Sequence, residues 1–435
     1  MYISKSKKDT IADLINKSNS YDGYVREKAV HQLGLNGDST AIPELLIRVN
    51  DWVYEVREAA KNSLDKLLVY ENSQAFVMNL PNIYKLQEYK RENHTSLILK
   101  IVNFLLQAEN NKYLIEAIDS ENTFVARISC KLCLEHNLIS KEELLEKSFS
   151  SSDVVIKALA SELLSKFDDH SLEYFLNKAI NDKYMPLRRE AFQIYLRKYP
   201  KIGLTIANDF LFDKHYAIRE IAIKYLQENN TNIEEILSDV LIANTDSILK
   251  LRCSIYGLAE INSKKSIAII ERFMDHKMPS IRKACIQSLS SLLGEASKEY
   301  LLVGLKDKSP NVAKETSRII NKLKIEMEIA DILEVCEKFI YTHTIPVCLN
   351  SVQNINKWNR LILLLKLFTS PIIENLRKQG VLEDEVRMWN LKFNKTSIQP
   401  TSTQISQIVS QYDKGRKLFT KYVSQSIEFT IRTFK

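Results

Sequence analysis

The chain has 435 residues, of which 45% are hydrophobic and 26% are charged, so it is too apolar to remain disordered. Its 61 lysines and arginines against 54 aspartates and glutamates give a net charge of +7, while glycine and proline number only 9 each. Sheets with many tight turns, glycine-rich phosphate loops and long linkers all need glycine and proline, so their scarcity argues against all three and predicts an almost wholly helical protein.

The N-terminal segment, residues 1–18, has several lysines but lacks the apolar core of a secretory signal. The longest apolar run, Leu361 to Leu365, is followed by Lys366 and falls far short of the ~20 residues that cross a membrane. Six cysteines without a secretion signal fit a reducing compartment better than a disulfide framework. We therefore expect a cytoplasmic protein with no membrane span.

A short pattern recurs along the chain: a β-branched residue or leucine, commonly followed by arginine, with a small residue four positions after the first. The first residues of these copies, which we call anchors, are Val25, Val56, Val125, Val154, Leu187, Ile218, Leu249, Ile281 and Val312. Successive anchors are 29 to 33 residues apart, except for one interval of 69 residues. That interval predicts a degenerate unit near Leu97, with an insertion ahead of it.

A period near 31 residues without a strand pattern predicts one helix hairpin per unit. In one unit, residues 41–48 are predicted to form the first helix and residues 54–68 the second. In the second helix Val56, Ala60 and Leu64 share one face, and a small residue at Ala60 is expected where a neighbouring helix crosses closely. The fold class is therefore predicted to be all-α, an α-solenoid of about ten hairpins.

An aspartate lies five residues before the anchor in several units, where it can cap or precede the second helix. These aspartates are Asp51, Asp182, Asp213 and Asp307. The arginines one residue after an anchor are Arg26, Arg57, Arg188, Arg219 and Arg282. The regular acid and base predict a ladder of charged hydrogen bonds between stacked units. Contact of these arginines with a ligand is the alternative.

The pattern of aspartate, anchor, arginine and small residue on a helix pair resembles the HEAT repeat family, in its short form of about 30 residues named after phycobilisome lyases. The resemblance covers roughly residues 10–325 and implies an α-solenoid that presents an extended surface to partners, without implying an activity. Two units depart from the pattern, because Val125 is followed by Ala126 and Val154 by Val155 instead of arginine.

The period ends near Leu323, so we assign residues 1–325 to the repeat solenoid and residues 326–435 to a helical C-terminal module that closes the stack. Between residues 386 and 435 nine lysines and arginines oppose two acids, which places an excess of +7 in the last fifty residues. A solvated basic face explains this excess in the simplest way. A patch for an anionic partner is the alternative.

Cys130, Cys133 and His136 have the spacing of metal ligands, but the chain lacks the second pair that such frameworks use. Cys253 and Cys285 occupy the small-residue position of their units, which favours cysteine as a small apolar core residue. The nucleotide-binding, nucleophile-elbow and metalloprotease motifs are absent from the sequence. We expect a protein that is not an enzyme and uses no cofactor and no metal.

The resemblance implies that the second helices line a concave surface, and the C-terminal end of that surface is basic. We predict that a partner binds there at Lys283, Lys314 and Arg318 and in the tail at Lys414, Arg416, Lys417 and Lys421. The leading hypothesis is a scaffold that binds a protein along the solenoid surface. The alternative is nucleic-acid binding at the basic C-terminal end, and a lyase or chaperone role rests only on the name of the repeat.

Overall fold

The computed structural model describes residues 9–167, 170–243, 245–339, 341–353, 355–373, 380–392 and 398–434. These residues form α-helices, short 3-10 turns and connecting segments, and none of them lies in a strand. The all-α fold class predicted from the sequence is therefore confirmed. The chain divides into two compact units, an N-terminal unit of Met1–Gly203 and a C-terminal unit of Leu204–Lys435.

The N-terminal unit is built from short helices in which a first and a second helix alternate. They are α1 (Ile11–Ser18), α2 (Gly23–Asn36), α3 (Ile42–Arg48), α4 (Tyr54–Leu67), α5 (Ser73–Met78), α6 (Leu80–Lys85), α7 (Thr95–Leu105), α8 (Lys112–Glu116), α9 (Thr123–Glu135), α10 (Lys141–Ser150), α11 (Val154–Ser165), α12 (Leu172–Ala179) and α13 (Met185–Lys198). The boundary between the units lies within the next helix, α14 (Pro200–Phe210).

The predicted hairpin of α3 and α4 forms as the sequence pattern indicates. Val56, Ala60 and Leu64 are all buried on one face of α4, and the helix packs against α2. The approach of the two second helices is close, because a Cβ added at Gly34 would lie 2.7 Å from the Cα of Ser63. The Ser63 hydroxyl donates to the carbonyl of Val30 at 2.9 Å, which satisfies a buried polar group at the crossing.

The degenerate unit has its second helix at α7, where the sequence predicts it. Its first helix is divided into α5 and α6, and residues 86–94 form the insertion between α6 and α7. Leu97, Ile98 and Ile101 are buried along one side of α7. Apolar periodicity therefore preserves the hairpin even where the repeat pattern is lost.

The C-terminal unit continues the alternation of helices. Its helices are α15 (Tyr216–Glu228), α16 (Ile233–Ile242), α17 (Ile248–Glu260), α18 (Ile267–Glu271), α19 (Pro279–Leu293), α20 (Lys298–Leu305), α21 (Pro310–Leu323), α22 (Ile329–Lys338), α23 (Thr344–Ser351), α24 (Lys357–Thr369), α25 (Val381–Lys392), α26 (Ser402–Gly415) and α27 (Lys421–Phe434). Ser288 on α19 donates to the carbonyl of Ile255 at 3.1 Å, which repeats the contact of Ser63 with Val30 at the same separation in sequence.

Stacked packing extends beyond the last sequence repeat. The hairpin of α22 and α23 packs against α21, and Asn350 donates to the hydroxyl of Ser317 at 2.8 Å. One apolar cluster joins α21 to α24 and α25, where the rings of Trp358 and Trp389 meet edge to face at 5.7 Å. The predicted division at residue 325 stays a prediction, since this cluster includes side chains on both sides of it.

Among the described helices, none combines the length and the apolar character that a membrane crossing requires. All six cysteines are buried free thiols that form no disulfide. Cys130, Cys253 and Cys285 lie in the apolar core, at the positions where helices cross.

Candidate partner-binding surface

The turn between α3 and α4 contains a buried ion pair that we call the first pair. The Nε and Nη2 atoms of Arg26 donate to the two carboxylate oxygens of Asp51 at 3.0 and 2.7 Å, and the two side chains are only 3% and 4% exposed. The third nitrogen of the guanidinium, Nη1, donates to the carbonyls of Ser20 and Tyr21. Asp51 also accepts from the N–H of Val53 at 2.9 Å, so the pair fixes two successive turns to each other.

The C-terminal unit repeats this arrangement in a second pair, Arg282 and Asp307. The guanidinium donates to both carboxylate oxygens at 2.6 and 2.7 Å and to the carbonyls of His276 and Lys277 in its own turn. Asp307 accepts from the N–H of Ser309 at 2.7 Å. In both pairs the arginine is 25 residues before its aspartate, which is the geometry of a contact between stacked units.

Electrostatics at the first pair favour the ionised carboxylate. Burial alone would raise the pKa of Asp51, but the hydrogen bonds from Arg26 and from the N–H of Val53 lower the pKa below its usual value of 3.8. The carboxylate is therefore charged at neutral pH and neutralises a guanidinium that would be costly to bury alone.

Two members of the predicted ladder pair with glutamate and not with aspartate. Arg57 donates to Glu92 at 3.2 Å, because the insertion before α7 supplies the acid at this level. Arg219 donates to Glu260 at 2.6 Å, an acid near the end of the next second helix, α17. The predicted pairing with an aspartate of the turn fails for Arg57 and Arg219, because the acid comes from outside the turn.

Three other predicted members are placed by contacts to the main chain or to a lysine. Arg188 donates to the carbonyls of Asp182 and Lys183, just as Arg26 donates to two carbonyls of its own turn. The carboxylate of Asp182 forms an ion pair with Lys157 and accepts from the N–H of Tyr184. Asp213 accepts from the N–H of His215 at 2.7 Å, and its carbonyl accepts from Arg219 at 3.0 Å.

Two anchors assigned from the sequence are out of register. Arg127 forms a bidentate pair with Asp153, and Lys157 pairs with Asp182, so the basic position follows residues 126 and 156 and not residues 125 and 154. With this shift Cys130 falls on the small-residue position. Sequence analysis missed Arg127, Lys157 and Asp153, although the 25- to 26-residue separation from base to acid identifies them.

The basic residues predicted on the second helices are partly offset within the chain by a single carboxylate, that of Glu315. Glu315 accepts from Arg318 at 3.1 Å and lies 3.7 Å from the ammonium of Lys283. Lys314 is exposed and has no carboxylate within ion-pair distance among the described residues. The sequence prediction of a basic surface here is therefore too strong, because it could not include the charge of Glu315.

The basic residues predicted in the tail gather at the turn between α26 and α27. Lys414 lies in the last turn of α26, where a cation offsets the negative end of the helix dipole, and Lys421 begins α27. Arg416 and Lys417 lie between them, and all four side chains are exposed. In the described part of the chain, no ion pair neutralises any of the four, and no hydrogen bond joins them to Lys283, Lys314 or Arg318.

Exposed aromatic side chains cover the turns of the first two hairpins. Tyr21, Tyr24, Trp52 and Tyr54, which we call the aromatic edge, are 92%, 84%, 62% and 59% exposed. The ring of Trp52 lies 4.8 Å from the guanidinium carbon of Arg26, and its centroid is 6.2 Å from that of Tyr21. Sequence analysis missed this surface, although aromatic residues in a turn instead of on an apolar helix face were the available signal.

A recess of about 430 Å³ opens beside the aromatic edge. Tyr21 and Trp52 form part of its wall with Ile47 and Arg91, and Arg91 donates to the carbonyl of Asn50 at 3.1 Å. The recess thus combines aromatic surface with a cation that no carboxylate of the described residues neutralises.

The candidate metal ligands Cys130, Cys133 and His136 do not converge. Both thiols are buried in the core, and burial raises the pKa of Cys133 to about 12, whereas His136 is exposed. Across the described ranges, no group of three or more histidine, cysteine, aspartate or glutamate side chains has the arrangement of a metal site.

Comparison with known proteins identifies no family for this chain. No family model and no curated protein sequence matches the chain. One similar solved structure, of Kap95p with RanGDP, has 12% identity and a TM-score of 0.37 over 97% of this chain, which spans 66% of the Kap95p-complex chain. A second, of TOG domain arrays from microtubule polymerases that recruit tubulin, has 11% identity and a TM-score of 0.24 over 93% of this chain and 100% of that chain.

At such low similarity, the fold class is defined by the chain's own stacked hairpins, which are those of an all-α repeat protein. The more specific short-repeat family suggested by the sequence remains a resemblance.

Proposed function

We propose that this protein is a non-enzymatic scaffold that binds a protein partner, with the aromatic edge of the N-terminal unit as the principal contact surface. The observation that carries the proposal is the exposure of Tyr21, Tyr24, Trp52 and Tyr54, each of which is more than half exposed. Tryptophan, tyrosine and arginine are the residues that contribute most to binding energy at protein interfaces. The cytoplasmic location expected from the sequence is part of this proposal.

The turns that carry the aromatic edge are rigid before any partner binds. Arg26 connects the turn containing Tyr21 to Asp51, which directly precedes Trp52. A surface that is already ordered loses less conformational entropy on association than a mobile loop does. This support for the aromatic side chains favours recognition over a purely accidental exposure of apolar groups.

The predicted residues Lys283, Lys314 and Arg318 are proposed as a secondary contact. Two of these cations share the one carboxylate of Glu315, so we expect Lys314 to contribute most. The proposal of a scaffold does not depend on them, because the aromatic edge belongs to the other compact unit.

Affinity capture with chemical cross-linking tests the proposal. We expect the wild-type chain to recover one protein in stoichiometric amount. The amount recovered should fall at least tenfold with the double variant Tyr21→Ala/Trp52→Ala. A matched control, Tyr174→Ala/Phe429→Ala, removes two exposed aromatic rings that lie elsewhere and is expected to retain the partner. Equal recovery by all three proteins would contradict the aromatic edge as the contact surface. Loss only on changing Lys283, Lys314 and Arg318 would assign the contact to the second helices.

Nucleic-acid binding is a second candidate function, favoured by the four exposed and unneutralised cations at the turn between α26 and α27. If they contact phosphates, binding should weaken steeply with salt, with a slope of roughly −0.7 to −0.9 per phosphate in the logarithmic plot. A variant with glutamate at Lys414, Arg416, Lys417 and Lys421 should abolish the shift of a labelled DNA or RNA. Absence of any shift with the wild-type chain at low salt would remove this function.

A further inference from the structure

The C-terminal unit contains a basic recess that neither the repeat pattern nor the proposed scaffold surface includes. It has a volume of about 400 Å³ and lies against the second pair, Arg282 and Asp307. We define the basic recess by its lining cations and aromatic rings, which are His276, Lys277, Lys306, Lys308, Phe339 and Tyr341.

The lysines of the basic recess provide positive charge that the fold does not use. Lys277 and Lys308 are exposed and Lys306 is half-buried, and none of the three forms an ion pair within the described part of the chain. The nearby carboxylate of Asp307 already accepts two hydrogen bonds from Arg282. An anion that enters the recess therefore meets three ammonium groups that are not held in ion pairs, beside the carboxylates of Asp275 and Asp307.

Two histidines have their proton positions set by the main chain. The Nδ1 atom of His276 accepts from the N–H of Met278 at 3.1 Å, so its Nε2 carries a proton and is a donor. The Nε2 atom of His343 lies 3.0 Å from the carbonyl oxygen of Asp307, which can only accept, so this nitrogen donates. The ring of Tyr341 stacks on His343 with centroids 5.5 Å apart, which fixes an aromatic face at the rim.

The rim of the basic recess is apolar. Val303 and Tyr341 line the recess and are exposed, and the ring of Phe339 lies 5.8 Å from the ammonium of Lys306. Charge and apolar surface therefore occur side by side. This combination suits a chain segment that presents carboxylates next to an apolar side chain.

We propose that the basic recess binds an acidic segment of a protein partner, with carboxylates on Lys277, Lys306 and Lys308 and an adjacent apolar side chain against Phe339 and Tyr341. A recess of this volume accommodates the side chains of one or two residues and does not form a continuous track for a phosphate backbone. This site is separate from the aromatic edge, so it extends the proposed function without depending on it.

Fluorescence anisotropy with a labelled acidic peptide tests the proposal. The probe is an eight-residue peptide with two central phenylalanines flanked on each side by three glutamates, compared with the same peptide carrying glutamine and with a thymidine oligonucleotide of equal net charge. The recess variant is Lys277→Gln/Lys306→Gln/Lys308→Gln. The matched control, Lys224→Gln/Lys264→Gln/Lys265→Gln, removes the same charge from exposed lysines of the same unit.

We expect the wild-type chain and the control to bind the acidic peptide equally and the recess variant to bind it at least tenfold more weakly. Tyr341→Ala should weaken binding of this peptide severalfold and leave an all-glutamate peptide unaffected. The proposal is overturned if the wild-type chain does not bind the acidic peptide, or if the recess variant and the control lose the same affinity. Tighter binding of the oligonucleotide than of the peptide, lost in the recess variant, would likewise overturn it in favour of nucleic acid. Circular dichroism checks that each variant is folded.

Discussion

The first and second pairs have the same geometry, but the surfaces above them differ. Arg26 and Arg282 each donate to an aspartate 25 residues later and to two carbonyls of their own turn. Above the first pair lie exposed aromatic rings, and around the second lie unneutralised lysines. The comparison indicates that the buried pair is a requirement of the fold, while the exposed turn residues are free to differ from unit to unit.

The buried pair is demanding because its charges have little access to water. Asp51 is satisfied by Arg26 and by the N–H of Val53, and the guanidinium is satisfied by carbonyls as well as by the carboxylate. Removing one partner leaves the other charge buried and unpaired, which costs more than the pair contributes. The exposed turn residues carry no such penalty.

The largest predicted effect is loss of either pair. Arg26→Met and Arg282→Met should each lower the free energy of unfolding by about 3–5 kcal/mol, since Asp307 is left without a cation and Asp51 keeps only the longer contact with Arg48 at 3.3 Å. Urea denaturation followed by far-ultraviolet circular dichroism measures the change. Lys17→Met is the control, because its ion pair with Asp9 is exposed and should contribute at most about 1 kcal/mol. A cost for Arg282→Met no larger than that of the control would show that the two pairs are not equivalent.

Acid should weaken the first pair in a predictable direction. The pKa of Asp51 is lowered in the folded state, so its contribution is complete above the unfolded value of 3.8 and is lost as the pH falls through the lower folded value. The difference in unfolding free energy between the wild type and Asp51→Asn should be constant from pH 5 to 8, about one unit or more above that value. It should shrink below about pH 4. Urea titrations at a series of pH values measure it, and a difference that grows in acid would contradict the assignment.

The crossing of α2 and α4 should tolerate an added methyl group less well than the matching crossing in the C-terminal unit. Gly34→Ala places a methyl group against the main chain of Ser63 and should cost about 1–3 kcal/mol of unfolding free energy. The equivalent position, four residues after the carbonyl that the serine hydroxyl binds, is already Ala259 in the C-terminal unit. Thermal denaturation of Gly34→Ala measures the effect. Stability equal to that of the wild type would contradict the close approach of the two helices.

The sequence predicts the repeated architecture well, because apolar spacing and the small residue are local requirements of helix packing. Val56 and Ala60 are buried as predicted, and α7 forms where the degenerate unit was expected. The sequence predicts the partners of Arg57 and Arg219 poorly. Those acids come from an insertion and from a neighbouring helix, and only the folded chain shows which residues lie across from each other.

The candidate sites are less predictable than the fold for the same reason. Net charge counts Lys283 and Arg318 as available, but both contact the carboxylate of Glu315, which offsets part of their charge. In the other direction, Trp52 looks in sequence like any aromatic residue near a helix start. Its exposure depends on the turn that Asp51 and Arg26 stabilise, which is a tertiary contact.

The smallest predicted effect is on stability when the exposed turn surfaces are removed. Tyr21→Ala/Trp52→Ala should lower the unfolding free energy by at most about 1 kcal/mol, which is the value of an exposed cation–π contact between Trp52 and Arg26. Lys277→Gln/Lys306→Gln/Lys308→Gln should change it by less than about 0.5 kcal/mol, because these lysines have no ion-pair partner among the described residues. Urea midpoints measure both. If the aromatic variant instead costs as much as Arg26→Met, Trp52 covers the pair as part of the fold, and its exposure is no argument for a partner. A small cost combined with lost capture would separate recognition from stability at the first pair.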